Sequence, residues 1–206
     1  LSVLTSPQVL MEIADRVEKG YSAKPFIPVI PPVMIRPEVM RKMARLSKED
    51  ADERYHTEAD DLYLVGSAEH TLGPLHMGEI LKEADLPIRY VGFSTSFRRE
   101  AGSYGKDTRG ILRVHQFDKL ELESFTLPEE SRKEQEFFVA IQEYLMQSLK
   151  LPYQVVLLSS GDMGKPDARQ IDIETWMPGQ GRYRETHSAD LVTDYQARRL
   201  GTKVKR

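Results

Sequence analysis

The sequence contains no cysteine. A chain without thiols can form neither a disulfide nor a zinc site with thiolate ligands, so disulfide-stapled secreted domains and cysteine-ligated zinc domains are excluded. It also lacks any apolar run long enough to span a bilayer, and its first residues lack the pattern of a signal peptide. We therefore expect a cytoplasmic protein without a membrane segment.

A strong excess of one charge is also missing. The formal net charge is −3, although 30% of the residues are charged. Such a balance provides no overall attraction to nucleic-acid phosphates, so any contact with RNA must use a local basic patch or a part of the protein outside this chain. The 40% hydrophobic content and the length of 206 residues are typical of a globular domain with a substantial core.

The chain does contain a long segment, Phe93 to Glu123, in which polar and apolar residues alternate on either side of a glycine-rich stretch. The pattern predicts two strands joined by the loop AGSYGKDTRG. Gly102, Gly105 and Gly110 leave the backbone of that loop free to turn.

The side-chain period of two predicts one chemically mixed face on this hairpin. It places Arg98 and Glu100 together on the first strand, and Arg113, Phe117 and Glu121 together on the second. Two arginines, one aromatic ring and two carboxylates suit a ligand with phosphates, a flat ring and a cationic amine. A hairpin whose charged face is simply solvated fits the same pattern equally well.

The segment FRREAGSYGKDTRGILRVHQFDKLE, residues 97–121, resembles motif 2 of the class II aminoacyl-tRNA synthetases. It is similar in particular to the seryl-tRNA synthetase family, whose motif 2 runs from an F-R-x-E-A-G start to an R-V-H-Q-F-x-K-x-E end. The resemblance implies an α+β fold built on an antiparallel sheet flanked by helices. It also implies that residues 1–206 form part of a catalytic domain.

The beginning of the chain resembles motif 1, which forms the dimer interface in that family. A helix is predicted over the first 20 residues, with Ser6 as a cap, Pro7 in its first turn and Gly20 at its end. A strand then runs into Pro31 and Pro32, which cannot donate ladder hydrogen bonds. The resemblance therefore implies a homodimer for the full-length protein.

The resemblance also assigns an ATP site to motif 2. Arg98 would stabilise the charge that develops at the α-phosphate, Glu100 would accept from the adenine amino group, and Phe117 would stack on the adenine ring. Arg113 would reach the outer phosphates. The implied ATP-binding set in this part of the chain is Arg98, Arg99, Glu100, Arg113, Val114 and Phe117.

The triplet Ser67-Ala68-Glu69 resembles the family's T-x-E loop, which contacts the amino acid. Serine stands where threonine is usual, so the hydroxyl is kept and the methyl is lost. A strand is predicted over residues 62–69, with Ser67 and Glu69 on one face. The resemblance implies that Ser67, Glu69 and Glu121 hold the ammonium and hydroxyl of serine. The full implied serine-binding set is Ser67, Ala68, Glu69, Arg98 and Glu121. The nearby His70 and His76 have no spaced metal-ligand partners, which predicts surface or capping roles.

A later segment, DIETWMPG followed by YRETHS, resembles the family's E-x-x-S region. The resemblance implies that Glu185 and Ser188 bind the ATP phosphates and Mg²⁺, with Glu185 joining Arg98 as a catalytic residue. Residues three apart cannot share a face of a regular strand, so a bulge near Thr186 is predicted. The sequence after Ser188, beginning with Ala189, departs from the family's usual small and polar residues.

These resemblances together imply serine–tRNA ligation: ATP-dependent activation of serine, followed by transfer to tRNA(Ser). The family's third motif and its long N-terminal arm do not occur in this chain, so we expect a partial catalytic domain that is either active or catalytically impaired. The lack of cysteine argues against the family's zinc-dependent form. A ligase that activates an amino acid for a carrier protein would carry the same motif 2. A non-catalytic paralogue would have lost the ATP-site residues that this chain retains.

Overall fold

The computed structural model describes residues 1–22, 24–101 and 110–206, so the predicted turns at Gly102 and Gly105 lie outside the described residues. Within these ranges the helices are α1 (Ser2–Thr5), α2 (Pro7–Val17), α3 (Pro37–Lys42), α4 (Lys48–Ala51), α5 (Glu69–Leu72), α6 (Ser131–Ser148) and α7 (Tyr195–Leu200). Short 3₁₀ turns cover Gly73–His76, Glu83–Asp85 and Pro128–Glu130.

The strands of the same ranges are short except for four, which form two antiparallel hairpins. They are β1 (Ile27–Val29), β2 (Met34–Ile35), β3 (His56–Thr57), β4 (Leu62–Leu64), β5 (Ile80–Lys82), β6 (Ile88–Phe97), β7 (Gln116–Phe125), β8 (Tyr153–Leu157), β9 (Arg169–Met177), β10 (Arg182–Leu191) and β11 (Lys203–Lys205). The mixture of helices and mainly antiparallel strands confirms the predicted α+β class.

The described residues form two compact units. The first consists of Leu1–Phe26, Leu86–Ile88 and Ser124–Tyr195. The second consists of Ile27–Asp85, Arg89–Glu123 and Gln196–Arg206.

The first unit is a three-stranded antiparallel sheet, in the order β10-β9-β8, covered on one face by α6. Its apolar core joins helix and sheet through Val139, Met146, Ile171, Ile173 and Ala189. Helix α6 is also hydrogen-bonded to β10 by two glutamine amides. Gln135 Nε2 donates to Ala189 O at 2.7 Å, and Gln142 Nε2 donates to Ser188 O at 2.8 Å. These bonds set the position of the helix along the strand.

Helix α2 also belongs to the first unit and packs against α6. Its buried face consists of Leu10, Ile13 and Ala14, whose spacing of three and four residues forms one helical stripe. Ser6 is the N-cap residue and Pro7 the first helical residue, as predicted. The predicted helix over the first 20 residues is therefore largely confirmed, although α1 and α2 are separate helices.

The second unit contains the motif 2 strands. Strand β6 lies between β1, which is parallel to it, and β7. Arg98 N donates to His115 O at 3.0 Å and Thr95 Oγ1 donates to Asp118 Oδ1 at 2.9 Å. From residue 98 back to residue 95 on the first strand, the bonded residue on the second strand moves forward from 115 to 118. The two strands therefore run antiparallel, as a hairpin requires.

Two smaller sheets complete the second unit. Strand β4 pairs antiparallel with both β2 and β3, while β5 and β11 form a parallel pair. The core beside β4 contains Ile35, Met40 and Val65. The second unit thus contains two parallel strand pairs, β1–β6 and β5–β11, in addition to the predicted antiparallel pairs.

The prediction of a strand over residues 62–69 is wrong in its second half. Strand β4 ends at Leu64, and α5 begins at Glu69. The hydroxyl of Ser67 accepts a hydrogen bond from Glu69 N at 3.3 Å, and Leu72 N donates to Ala68 O. These local bonds compete with strand pairing and turn the chain into a helix, so Ser67 and Glu69 do not lie on one strand face.

The motif 2 strands are also shorter than predicted. Strand β6 ends at Phe97 and β7 begins at Gln116, so Arg98, Glu100 and Arg113 lie on the connection between them. Glu100 has a φ of 53°, a left-handed conformation that is incompatible with the extended strand predicted for it.

None of the helices in the described ranges is both long and apolar enough to cross a membrane.

We predict that Gly92→Ala destabilises the second unit. A Cβ at position 92 of β6 would lie 2.7 Å from Cδ1 of the fully buried Leu72. Such overpacking costs about 1–3 kcal/mol, which chemical denaturation would measure as a lower free energy of unfolding. Gly179→Ala is the matched control, because nothing lies within 4 Å of its added Cβ. Equal stability of the two variants would show that Leu72 moves aside without cost.

Candidate functional site

The backbone at Val65 and Gly66 brings the Ser67 triplet to the motif 2 strands. Phe97 N donates to Val65 O at 2.8 Å, and the next residue, Arg98, donates from Nε to Gly66 O at 3.2 Å. Val65 N is in turn bound to Val33 O at 2.9 Å. The end of β6 therefore lies directly beside the turn that carries Ser67.

Ser67 and Glu121 are joined side chain to side chain. The Ser67 hydroxyl donates to Glu121 Oε1, and Lys119 Nζ lies 2.5 Å from the same oxygen. Ser67 is 5% exposed, and about a fifth of the Glu121 side chain is exposed. The carboxylate is thus held in place by a hydroxyl and an ammonium, an arrangement that can accept a further cationic amine.

Glu69 has a different set of partners. Its Oε1 accepts from Arg45 Nε and from Gln196 Nε2, both at 3.0 Å. Burial raises the pKa of Glu69, but the Arg45 guanidinium, with smaller help from His70 and Gln196, brings the net pKa below its usual value. Glu69 is therefore ionised at neutral pH. Sequence reasoning missed Arg45 and Gln196, because nothing in the sequence relates positions so far apart.

Arg98 and Phe117 are brought together as predicted for one site. The Arg98 Cζ atom lies 5.3 Å from the centroid of the Phe117 ring, within the range of a cation–π contact. Phe117 is half-buried, whereas its neighbours Gln116 and Asp118 on the other face of β7 are exposed. The alternative of a fully solvated charged face is therefore wrong for this strand.

Glu100 and Arg113 form an ion pair on the connection between β6 and β7. Arg113 Nη1 lies 2.5 Å from Glu100 Oε2, and the Glu100 side chain is only 14% exposed. The neighbouring Arg99 is exposed and uses its backbone N–H to bind Glu53 O at 3.1 Å. Val114 is half-buried.

His70 is buried, so the predicted surface role is wrong. Its Nδ1 accepts a hydrogen bond from Gly66 N at 3.3 Å and therefore carries no proton. Burial lowers the pKa of His70 to about 3, against an opposing effect of Glu69. His76 binds Glu79 through Nδ1 and Tyr90 through Nε2.

The first unit carries the second group of predicted site residues. The pairing of β10 with β9 shifts register between Glu185 and His187, which confirms the predicted bulge at Thr186. Glu185 lies opposite Glu174, and Ser188 lies opposite Asp172. Residues opposite one another in antiparallel strands share a face, and so do residues two apart on one strand. The bulge therefore places Glu185 and Ser188 on the same face.

The hydroxyl of Ser188 has defined partners on that face. It donates to Asp190 Oδ1 at 2.6 Å and accepts from Gln170 Nε2 at 3.1 Å. A hydroxyl oxygen has two lone pairs, so one remains for a metal ion or a ligand donor. Among the residues that the structure describes, no three His, Cys, Asp or Glu side chains gather around a metal position.

The known family that matches this chain is the tRNA synthetase class II core domain (G, H, P, S and T), over residues 52–206. The chain belongs to this family. The resemblance of motif 2 to the class II synthetases is thereby confirmed, and the matched residues include both groups of site residues.

Relatives of this class II chain include the serine–tRNA ligase of Acidothermus cellulolyticus. The two are 47% identical over 204 residues, which cover 98% of this chain and 48% of that protein. The chain thus spans about half the length of the curated relatives it matches.

Solved structures similar to this class II chain include two seryl-tRNA synthetases. The enzyme from Pyrococcus horikoshii, complexed with ATP, has a TM-score of 0.83 and 45% identity over 100% of this chain and 45% of that one. The cytoplasmic enzyme from Naegleria fowleri, in complex with AMP, has a TM-score of 0.82 and 35% identity over 97% of this chain and 47% of that one. These likenesses confirm the predicted synthetase fold.

We predict that His70 makes this class II chain less stable in acid. The unfolded chain binds a proton at His70 below about pH 6.5, while the folded chain does not until about pH 3. The unfolded state therefore binds more protons between these values, and the free energy of unfolding falls as pH falls, by up to about 1.4 kcal/mol per pH unit.

Denaturant unfolding between pH 7 and pH 5 tests this dependence. His70→Asn, which keeps an acceptor for Gly66 N, should reduce the slope. Some slope should remain, because burial also lowers the pKa of His187. An unchanged slope in His70→Asn would contradict the buried neutral imidazole.

Proposed function

We propose that this chain carries the serine-activating part of a serine–tRNA ligase. The single observation that carries the proposal is the side-chain bond between Ser67 and Glu121, in a chain whose relatives include serine–tRNA ligases. A carboxylate held by a hydroxyl and by Lys119 suits the ammonium and hydroxyl of a small amino acid.

The reaction under this proposal needs no nucleophile from the protein. A carboxylate oxygen of serine attacks the α-phosphorus of ATP, a new P–O bond forms, and the bond to the pyrophosphate oxygen breaks. Pyrophosphate leaves with its electron pair, and seryl-adenylate remains. Catalysis then consists of positioning the two substrates and stabilising charge on the phosphate oxygens. Arg98 is the residue we assign to that charge.

The remaining motif 2 residues would bind the nucleotide. Since Arg98 lies against one face of Phe117, adenine would stack on the other face. Glu100 is paired with Arg113, and its carboxylate would accept from the adenine amino group. Arg113 would also reach the outer phosphates, and the flanking Arg99 and Val114 would line the same nucleotide.

Glu185 and Ser188 would bind the phosphates together with Mg²⁺, which when bound neutralises phosphate charge. Their shared face and oxygen donors suit this ion, which usually takes one or two protein oxygens and completes its shell with phosphates and water. In this role Glu185 is the second catalytic residue of the proposal.

The amino-acid side of the proposal uses the Ser67–Glu69 turn. Ser67 and Glu121 would contact serine directly, and Ala68 would contribute main-chain contacts. Glu69 is held in its ionised form by Arg45 and Gln196, so it would add negative potential for the ammonium.

The same proposal extends to the domain organisation, oligomeric state, localisation and tRNA substrate of the full-length protein. We propose that residues 1–206 belong to one catalytic domain, that the protein is a cytoplasmic homodimer, and that it transfers serine to tRNA(Ser). The 45–47% identity to proteins named as serine–tRNA ligases and seryl-tRNA synthetases supports these points.

We expect Phe117→Ala to weaken ATP binding by about 1–3 kcal/mol, the value of stacking one base on an aromatic ring. Isothermal titration with ATP measures the loss, and circular dichroism should show a retained fold because Phe117 is only half-buried. Phe93→Ala, which removes an exposed phenylalanine from β6, is the matched control and should bind ATP normally. Normal ATP binding by Phe117→Ala would contradict the stacking role.

The test of the proposed function is selectivity for serine over alanine. A pocket built to hydrogen-bond a hydroxyl rejects an analogue that lacks it, because its own polar groups are left unpaired. With ATP present, serine should raise the thermal midpoint of unfolding and alanine should not. Glu121→Gln should remove this difference with little effect on ATP binding alone.

Asp118→Asn is the control for that experiment, since it changes a carboxylate on the other face of β7. It should keep the difference between serine and alanine. If the wild-type protein is stabilised equally by both amino acids, the assignment of serine is wrong.

A further inference from the structure

One face of the small parallel sheet formed by β5 and β11 is lined with lysine. Lys203 lies beside Ile80 in this sheet, and Lys205 lies beside Lys82. Side chains in register on neighbouring strands point to the same face, and so do side chains two residues apart on one strand. Lys82, Lys203 and Lys205 therefore share one face with Ile80, and we call these four residues the lysine face.

The lysine face is exposed, whereas the opposite face of the sheet is covered. All four of its residues are exposed. On the opposite face Leu81 is buried and Val204 is half-buried. Burial of these two apolar side chains fixes which way the sheet faces, so the three ammonium groups are directed to solvent.

The backbone holds β11 against the segment before β5. Lys203 N donates to Glu79 O at 3.0 Å, and Thr202 Oγ1 donates to His76 O at 2.9 Å. The carboxylate of Glu79 is itself bound to His76 Nδ1 at 2.8 Å. The positions of the lysines are therefore set by main-chain pairing, and the carboxylate that precedes β5 is engaged by a histidine.

This arrangement of lysines has an electrostatic cost. Lys205 and Lys82 are opposite each other on strands about 4.8 Å apart, and like charges in such pairs destabilise a sheet. Among the residues that the structure describes, neither these two lysines nor Lys203 forms an ion pair, although the exposed Glu83 directly follows β5. Three cations that repel one another at fixed positions are suited to bind an anion that carries several charges.

We propose that the lysine face binds the phosphate backbone of RNA. This inference rests on the proposed function, in which the RNA is the tRNA that receives serine. The net charge of −3 provides no general attraction to RNA, so the contact must be local. Lys203 and Lys205 are separated by about 6.6 Å along β11, and Lys82 lies one strand away. Such a group of ammonium groups can follow successive phosphates without reading the bases.

An anionic membrane is the other common partner with many negative charges. Segments that bind membrane surfaces combine basic residues with a broad apolar face that enters the bilayer. The lysine face contributes Ile80 as its one apolar side chain, and the relatives described above include tRNA ligases. These two observations favour RNA.

The salt dependence of RNA binding tests the inference. Fluorescence anisotropy would measure the affinity of the chain for two labelled transcripts, a serine-accepting tRNA and an unrelated tRNA, between about 50 and 200 mM KCl. Each lost phosphate contact reduces the magnitude of the slope of log affinity against log salt by about 0.7–0.9. The triple variant Lys82→Gln, Lys203→Gln and Lys205→Gln should therefore reduce it by about 2–3, equally for both RNAs, because phosphates carry no sequence information.

Two single variants complete the design. Lys19→Gln, at an exposed position shortly after α2, is the matched control and should leave the slope unchanged. Lys82→Glu separates RNA binding from folding. It places an acidic residue opposite Lys205, so the ligand-free chain should unfold at a higher temperature than the wild type. The same variant should bind RNA more weakly than Lys82→Gln does.

The outcomes separate the lysine face from the proposed function. An unchanged slope in the triple variant overturns the inference, and so does an equal change in Lys19→Gln. If the wild type binds vesicles of anionic phospholipid through these lysines but binds neither tRNA, the partner is a membrane and the inference is overturned. Calorimetric titration with serine and AMP should give the same affinities for the triple variant and the wild type. If the wild type does not bind serine but binds RNA with a lysine-dependent slope, the proposed function fails and the lysine face remains an RNA-binding surface.

Discussion

The hydrogen bond from Phe97 N to Val65 O is the contact on which the candidate site in the second unit depends. It joins the end of β6 to the residue after β4, and so places Arg98 beside Gly66 and the Ser67 turn. Phe97 N and Val65 O are both backbone atoms, so the alignment of these two segments does not depend on flexible side chains. Pre-aligned polar groups of this kind are what catalysis by positioning requires.

Hydrogen bonds and ion pairs then hold two carboxylates of that unit, and all of their partners except Lys119 are distant in sequence. Glu121 is bound by Ser67 and Lys119, and Glu69 is bound by Arg45 and Gln196. Both carboxylates are partly buried. Burial raises the pKa of Glu69, but the Arg45 guanidinium brings that pKa below its usual value. The negative charge of Glu69 beside the Ser67 turn attracts an amine and repels an anion.

In the first unit, one extra residue in β10 decides which side chains share a face. The bulge at Thr186 keeps Ile173 and Ala189 in the core under α6 while it turns Glu185 and Ser188 to a common polar face. A regular strand would have sent one of the two into the apolar core. Residues three apart cannot share a face of a regular strand, so the E-x-x-S spacing predicts a bulge wherever Glu and Ser must face the same way. The bulge could therefore be predicted without knowledge of the fold.

The sequence by itself determined the family, the α+β class, the amphipathic α2 and the bulge, because each rests on local spacing or on a long unbroken motif. It also predicted that Arg98, Phe117, Ser67 and Glu121 belong to one site, and the structure brings Ser67 to Glu121 and Arg98 to Phe117. Only the tertiary structure decided where β4 and β6 end, since alternating patterns continue past the last paired residue and a serine hydroxyl can redirect the backbone. It alone brought Arg45 and Gln196 to Glu69, because contacts between distant positions follow from chain topology and leave no periodic signal in the sequence.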